Sequence, residues 1–166
     1  MYYLNIFLLF SFLGRIFESL FLYFAADGLV SGIMFGPFTP IFGIGAAISI
    51  FVYEKIKFSK NIYLNIGFYF VFLTVLFTGI EFIAGEIIEV FLGKEMWNYS
   101  DAYFSFSKYA CFEISIAWSL MAFVLVCYIK PYTDIIIKKI PKKLSWLLVI
   151  YVIVDLLMVF FYKTVS

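Results

Sequence analysis

Residues 62–92 read IYLNIGFYFVFLTVLFTGIEFIAGEIIEVFL, a run with no lysine or arginine and no acid before Glu81. A helix over this run would measure roughly 46 Å, against about 30 Å of bilayer hydrocarbon. It is long enough to cross a membrane with a strong tilt, or with its end beyond the apolar layer. Four more apolar stretches accompany it, at 2–24, 33–53, 109–129 and 144–162. The reading is an all-α, polytopic integral membrane protein with about five transmembrane helices, forming a single domain over residues 1–166.

Composition supports this and excludes other classes. Of 166 residues, 65% are hydrophobic and 14% charged, whereas soluble domains run near 45–50% and 25%. A soluble core of this size has no room for 23 Phe and 13 Tyr. The net charge of +1 provides no basic field for nucleic acid. With no histidine, Ser-His-Asp and Cys-His catalysis and every histidine metal site are excluded. Cys111 and Cys127 lie on one apolar segment, about 24 Å apart as helix, too far for an intrachain disulfide. No G-x-x-x-x-G-K-[ST] loop occurs, so this chain does not bind ATP through one. No cofactor is expected, and the identity of any metal stays open. The first apolar run lacks a basic leader and carries Arg15 and Glu18, which reads as a retained helix and not a cleaved signal.

The second span is broken near its start by Gly36-Pro37-Phe38-Thr39-Pro40. Prolines three apart free backbone carbonyls that need protein or water partners in lipid. The second helix is therefore expected to be discontinuous at this segment. Lysines set the orientation. Lys55, Lys57 and Lys60 follow span 2, and Lys130, Lys138, Lys139, Lys142 and Lys143 follow span 4. The opposite side holds Lys94, Lys108 and Lys163. The positive-inside rule places the N-terminus in the cytoplasm. The lysine-rich 4–5 connection suits anionic lipid or a cytosolic partner.

Polar residues inside spans are the candidate machinery, because they are costly there. Arg15, the one arginine, shares a helix face with Ser11, Gly14 and Glu18 at i, i+3, i+4 and i+7 spacing. An Arg15–Glu18 pair that only helps helices associate is the structural alternative. On the third span Thr74, Thr78, Glu81, Gly85 and Glu89 fall within an arc of about 80°, with Glu86 off to one side. Glu113, Ser115, Trp118 and Ser119 mark the fourth span, and Asp155 stands alone in the fifth, where an interhelical hydrogen bond is the plain alternative. The 97–106 connection, with Trp97, Asn98 and Tyr99, reads either as an interfacial aromatic belt or as a lid touching ligand. In the inferred orientation Arg15, Glu18, Gly36, Pro37, Pro40, Glu81, Glu89 and Glu113 all fall in the outward half of the bilayer. One cation facing several carboxylates beside an unwound segment would suit a polar cavity.

An ordered series of motifs is now visible: Phe12-Leu13-Gly14-x-x-x-Glu18-Ser19, Gly36-Pro37-Phe38-x-Pro40-Ile41-x-Gly43, Glu81-x-x-x-Gly85, Trp97-x-Tyr99-Ser100 and Trp118. Over roughly residues 8–125 the chain resembles the putative ABC-transporter type IV permease family. The resemblance implies a bacterial inner-membrane protein. The chain departs from the pattern at Arg15, at Asn98 where an acid is usual, and at Thr39 and Phe42.

The leading expectation is a small permease or permease subunit that binds a polar or cationic solute. Glu18, Glu81 and Glu113 would bind solute or relay protons, with Arg15 holding carboxylates ionised. Glu89, Trp97, Asn98, Tyr99 and Trp118 complete the candidate site, and the Gly36–Pro40 segment offers backbone groups. Expected partners are membrane lipids and the solute, with an ATPase on another chain or a second copy of this one as candidates. An intramembrane lipid- or headgroup-modifying enzyme and a structural assembly subunit are the alternatives.

Overall fold

The structure, a computed structural model, describes residues 1–25, 34–56, 59–93, 95 and 97–165. Lys57, Lys94 and the first residue of the expected 33–53 span lie outside these. In chain order the elements are α1 (Tyr2–Ala25), α2 (Pro40–Lys55), α3 (Ile62–Leu92), the strands β1 (Ser105–Ser107) and β2 (Ala110–Cys111), α4 (Phe112–Val124), α5 (Lys130–Lys138) and α6 (Lys142–Val165). The strands form one short antiparallel hairpin, so the fold is helical almost throughout. Helical turns of wider pitch over Leu125–Ile129 join α4 to α5. Pro131 cannot donate to the carbonyl four residues back, and a locally widened turn accommodates it without ending the helix.

Among the described residues, four helical stretches are long and apolar enough to cross a membrane: Tyr2–Leu20, Ile62–Phe91, Phe112–Lys138 and Lys142–Tyr162. The stretch expected as a further span corresponds to α2, whose 16 residues extend about 24 Å. It begins at Pro40, where a proline is pre-organised and its missing N–H costs nothing. Gly36 and Pro37 precede the helix.

Burial departs from that of a water-soluble protein at many positions. Asn5, Ser11, Glu81, Ser115, Ser119 and Asp155 are buried, while Val75, Val90 and Leu147 are exposed. Such a departure is what an apolar solvent selects, because lipid accepts valine and leucine but not hydroxyls or carboxylates.

The chain divides into two compact units. One comprises Met1–Ile48 with Lys130–Ser166 and the other Ser49–Ile129. In the first, α1 and α2 approach closely at glycines. A Cβ on Gly14 would overlap the Phe42 ring, and one on Gly43 would overlap Ser11 Oγ and the Phe7 carbonyl. Leu8, Met34, Phe38 and Val152 form this unit's buried cluster, with Phe7, Leu148 and Val149 packed around it. In the second, α3 is bounded by chemistry at both ends. Asn61 Oδ1 accepts the N–H groups of Tyr63 (2.9 Å) and Leu64 (3.4 Å), and Gly93 closes the helix at φ 62°, a left-handed conformation that favours glycine. Hydroxyls join α3 to α4: Thr78 Oγ1 donates to Ser115 Oγ at 2.6 Å, and Thr74 and Ser119 meet at 2.8 Å.

Candidate functional site

The polar stripe of α3 faces α4 and the hairpin segment, and Glu81 lies at its centre. The residue is 5% exposed. Its Oε1 accepts the Tyr99 phenol at 3.0 Å and the Trp118 indole N–H at 3.4 Å. Its Oε2 is buried and has no hydrogen-bond partner among the described residues. Three expected site residues, one each from α3, the 97–103 loop and α4, thus converge on one carboxylate. Burial, and next the neighbouring Glu81 carboxylate, push the Tyr99 phenol above its ordinary value, so Tyr99 remains a proton-bearing donor.

Toward the C-terminal end of α3 the stripe is filled. A Cβ on Gly85 would overlap the Tyr109 ring, so glycine is what lets this tyrosine lie flat against the helix. The Tyr109 hydroxyl donates to Glu89 Oε2 at 2.6 Å. Lys108 Nζ reaches both Glu89 oxygens, at 2.7 and 2.6 Å, and Glu95 at 3.3 Å. The bond to Glu89 chiefly, and then the contact with Tyr109, raises the Lys108 ammonium above the usual lysine range. Burial and the Glu89 bond raise the Tyr109 phenol. Trp97 packs edge-on to Tyr109, ring centres 6.2 Å apart, and its N–H donates to the Tyr109 carbonyl at 3.2 Å. Lys108 and Tyr109 therefore pin the hairpin to α3. Neither stood out in the sequence: a lysine and a tyrosine beside a span are usual at an interface, and their pairing with Glu89 has no signature in spacing.

The other expected residues of this unit point elsewhere. Asn98 is exposed; its amide donates to Glu95 at 3.1 Å and its oxygen accepts the Ser100 N–H at 2.9 Å, a local turn. Glu113 is exposed in the first turn of α4 and accepts the Phe104 N–H at 3.2 Å.

In the first unit the Gly-Pro segment is held from three sides. Asp155, 4% exposed, accepts the backbone N–H groups of Phe35 (3.2 Å) and Gly36 (2.8 Å), one on each oxygen. A Cβ on Gly36 would lie 2.5 Å from the Tyr151 hydroxyl and 2.6 Å from Asp155 Oδ2. The Thr39 N–H donates to the Ser11 carbonyl at 2.9 Å, and the Thr39 hydroxyl donates to Glu18 Oε2 at 3.0 Å. The backbone N–H groups of Phe35, Gly36 and Thr39 are thus engaged, and Glu18 is one of the segment's anchors. Arg15 is half-buried on α1, Pro37 is exposed, and Pro40 opens α2. Arg15, Glu18, Gly36, Pro37 and Pro40 belong to this unit, and the remaining expected site residues belong to the other.

The model of a family described as putative ABC-transporter type IV matches residues 5–164 of the chain. No curated protein and no solved structure matches.

Proposed function

The chain belongs to the putative ABC-transporter type IV family, and from that membership we propose that it is a small permease or permease subunit. It binds a polar or cationic solute in an acidic cavity in the outward half of the bilayer. The observation that carries this reading is Glu81, buried on a membrane-crossing helix with one oxygen bonded and the other bare. Two acids that fasten helices and loops have both oxygens engaged: Asp155 by two backbone amides, Glu89 by Lys108 and Tyr109. Glu81 does not. A bare buried carboxylate oxygen is costly, and a cation or proton arriving there recovers that cost.

In this reading Glu81 is the binding acid, and Tyr99 and Trp118, which donate to it, shape its surroundings. The chain is one transmembrane domain with five crossings, α2 being the short one after the Gly-Pro break. Its N-terminus is cytoplasmic and its membrane the bacterial inner membrane. The lysines at 138–143 contact anionic lipid or an ATPase carried by another chain, and self-association into an oligomer is compatible with the same surface.

The test is electrical. Protein reconstituted on a solid-supported membrane is exposed to jumps of small cationic solutes, and charge displacement is recorded. A solute that evokes current in wild type and none in Glu81→Gln, with Glu86→Gln unaffected, supports the proposal. Currents unchanged in a folded Glu81→Gln protein remove it. The assembly reading is favoured by the saturated Asp155 and Glu89 contacts, and it gains if Glu81→Gln alters only stability.

A further inference from the structure

From the surroundings of Glu81 we infer that its bare oxygen takes a proton, and neither a metal cation nor the solute itself. The inference deepens the transport reading by naming the ion that would couple it.

The argument starts from what each occupant needs. Calcium and magnesium take six or more oxygen ligands. The hydrogen-bond partners of Glu81 among the described residues are donors: Tyr99 presents its O–H and Trp118 its N–H, both to Oε1, and an indole N–H has no acceptor capacity. The hydroxyls one turn away, Thr78 and Ser115, are bonded to each other and to the carbonyls of Thr74 and Cys111. Among the described residues no group of three or more His, Cys, Asp or Glu side chains is placed to hold a metal ion, and Glu89 is bonded to Lys108 and Tyr109. A solute ammonium needs several acceptors. A proton needs one oxygen. It also removes the charge that makes a buried carboxylate costly.

The titratable groups around Glu81 within its unit fit this assignment. Tyr99 faces it from the loop and stays protonated, so it orients the carboxyl and does not exchange. Cys111 sits buried at the start of α4, its thiol raised chiefly by burial. Tyr109 covers Gly85, and Lys108 is bound to Glu89 and Glu95. Among the described residues Glu81 is the acid with a buried oxygen that has no hydrogen-bond partner.

Dicyclohexylcarbodiimide, which is apolar and reacts with protonated carboxyls, provides the test. Wild-type protein in lipid nanodiscs is treated, digested and mapped by mass spectrometry. The expected result is an adduct on Glu81 that falls as pH is raised and is unchanged by NaCl or MgCl2, absent in Glu81→Gln and retained in Glu86→Gln. The salt and pH arms use wild-type protein alone, so they hold even where the glutamine variant fails to fold. Protection by sodium or magnesium, or no adduct on Glu81 in wild-type protein that elutes as a single species, overturns the proton site whatever the currents show. An adduct on Glu81 together with no solute-evoked current supports the proton site while removing the transport reading.

Discussion

Replacing Asp155 tests how the Gly-Pro segment is held. The carboxylate is 4% exposed and receives one backbone N–H on each oxygen, from Phe35 at 3.2 Å and Gly36 at 2.8 Å. Asp155→Ala leaves two donors without an acceptor. An unsatisfied buried donor costs about 1–3 kcal/mol, and loss of the carboxylate's own desolvation penalty returns part of the sum. The net expected loss is about 2–4 kcal/mol. Asp155→Asn keeps one acceptor oxygen, which the shorter Gly36 bond would retain, and turns an amide N–H₂ toward the other donor; its expected loss is about 1–2 kcal/mol. Gly36→Ala attacks the same contact from the other side, since its Cβ would lie 2.6 Å from Asp155 Oδ2. Equilibrium unfolding in mixed detergent micelles, titrated with dodecyl sulfate and followed by circular dichroism, measures all three. The order wild type, Asn, Ala is the expected one. An alanine variant within about 0.5 kcal/mol of wild type, or an asparagine variant less stable than alanine, would refute the account of Asp155 as the acceptor for this loop.

Gly85→Val should destabilise by about 1–3 kcal/mol through overpacking against Tyr109, and Tyr109→Ala in the same chain should recover part of the loss; equal losses with and without the tyrosine would show that the ring is not what Gly85 accommodates. Lys108 holds its proton more tightly when folded, so the hairpin's attachment is fully present below the ordinary lysine value of about 10.4 and is lost as pH rises through the higher folded value. Trp97 emission, read in a Trp118→Phe/Trp146→Phe background, should stay constant to about pH 10 and shift only beyond it, whereas Lys108→Met should show the shifted emission already at neutral pH. For orientation, a single cysteine at Asn98 in a background lacking Cys111 and Cys127 should react with an impermeant thiol reagent in intact cells, and one at Lys142 should not; the reverse pattern would turn the proposed site inward.

The helices were legible where periodicity and end signals agree. For α3 the apolar run stops at the asparagine and glycine that cap it, and its polar stripe is a direct consequence of 3.6 residues per turn. Other boundaries were obscured by competing signals. Lys130 and Pro131 read as a connection because charge and proline usually end a span, yet the helix continues to Lys138 through the wider turns at Leu125–Ile129. The Gly36–Pro40 segment read as a discontinuity near the start of the second span, and among the described residues α2 begins at Pro40. The hairpin over 105–111 was not legible at all. Its strands are too short to alternate, and its stability comes from Tyr109 lying on Gly85 and Lys108 reaching Glu89.

Sorting the acids by role depends on a property that sequence does not carry: the number of satisfied oxygens. Glu81, Glu89 and Asp155 all read as acidic residues in apolar runs, and helical position separates them little. Their partners come from remote segments, Gly36 to Asp155 across 119 positions and Trp118 to Glu81 across 37. Two amides saturate Asp155, which makes it a fastening. A lysine and a tyrosine saturate Glu89, which makes it the anchor of the hairpin. At Glu81 both available donors, Tyr99 and Trp118, converge on the same oxygen. A carboxylate selected only for cohesion gains more by dividing its donors between its oxygens, because each unsatisfied buried oxygen forfeits a hydrogen bond. Leaving Oε2 bare is the costlier arrangement for folding, and that cost is the ground on which we propose for Glu81 a task beyond stability.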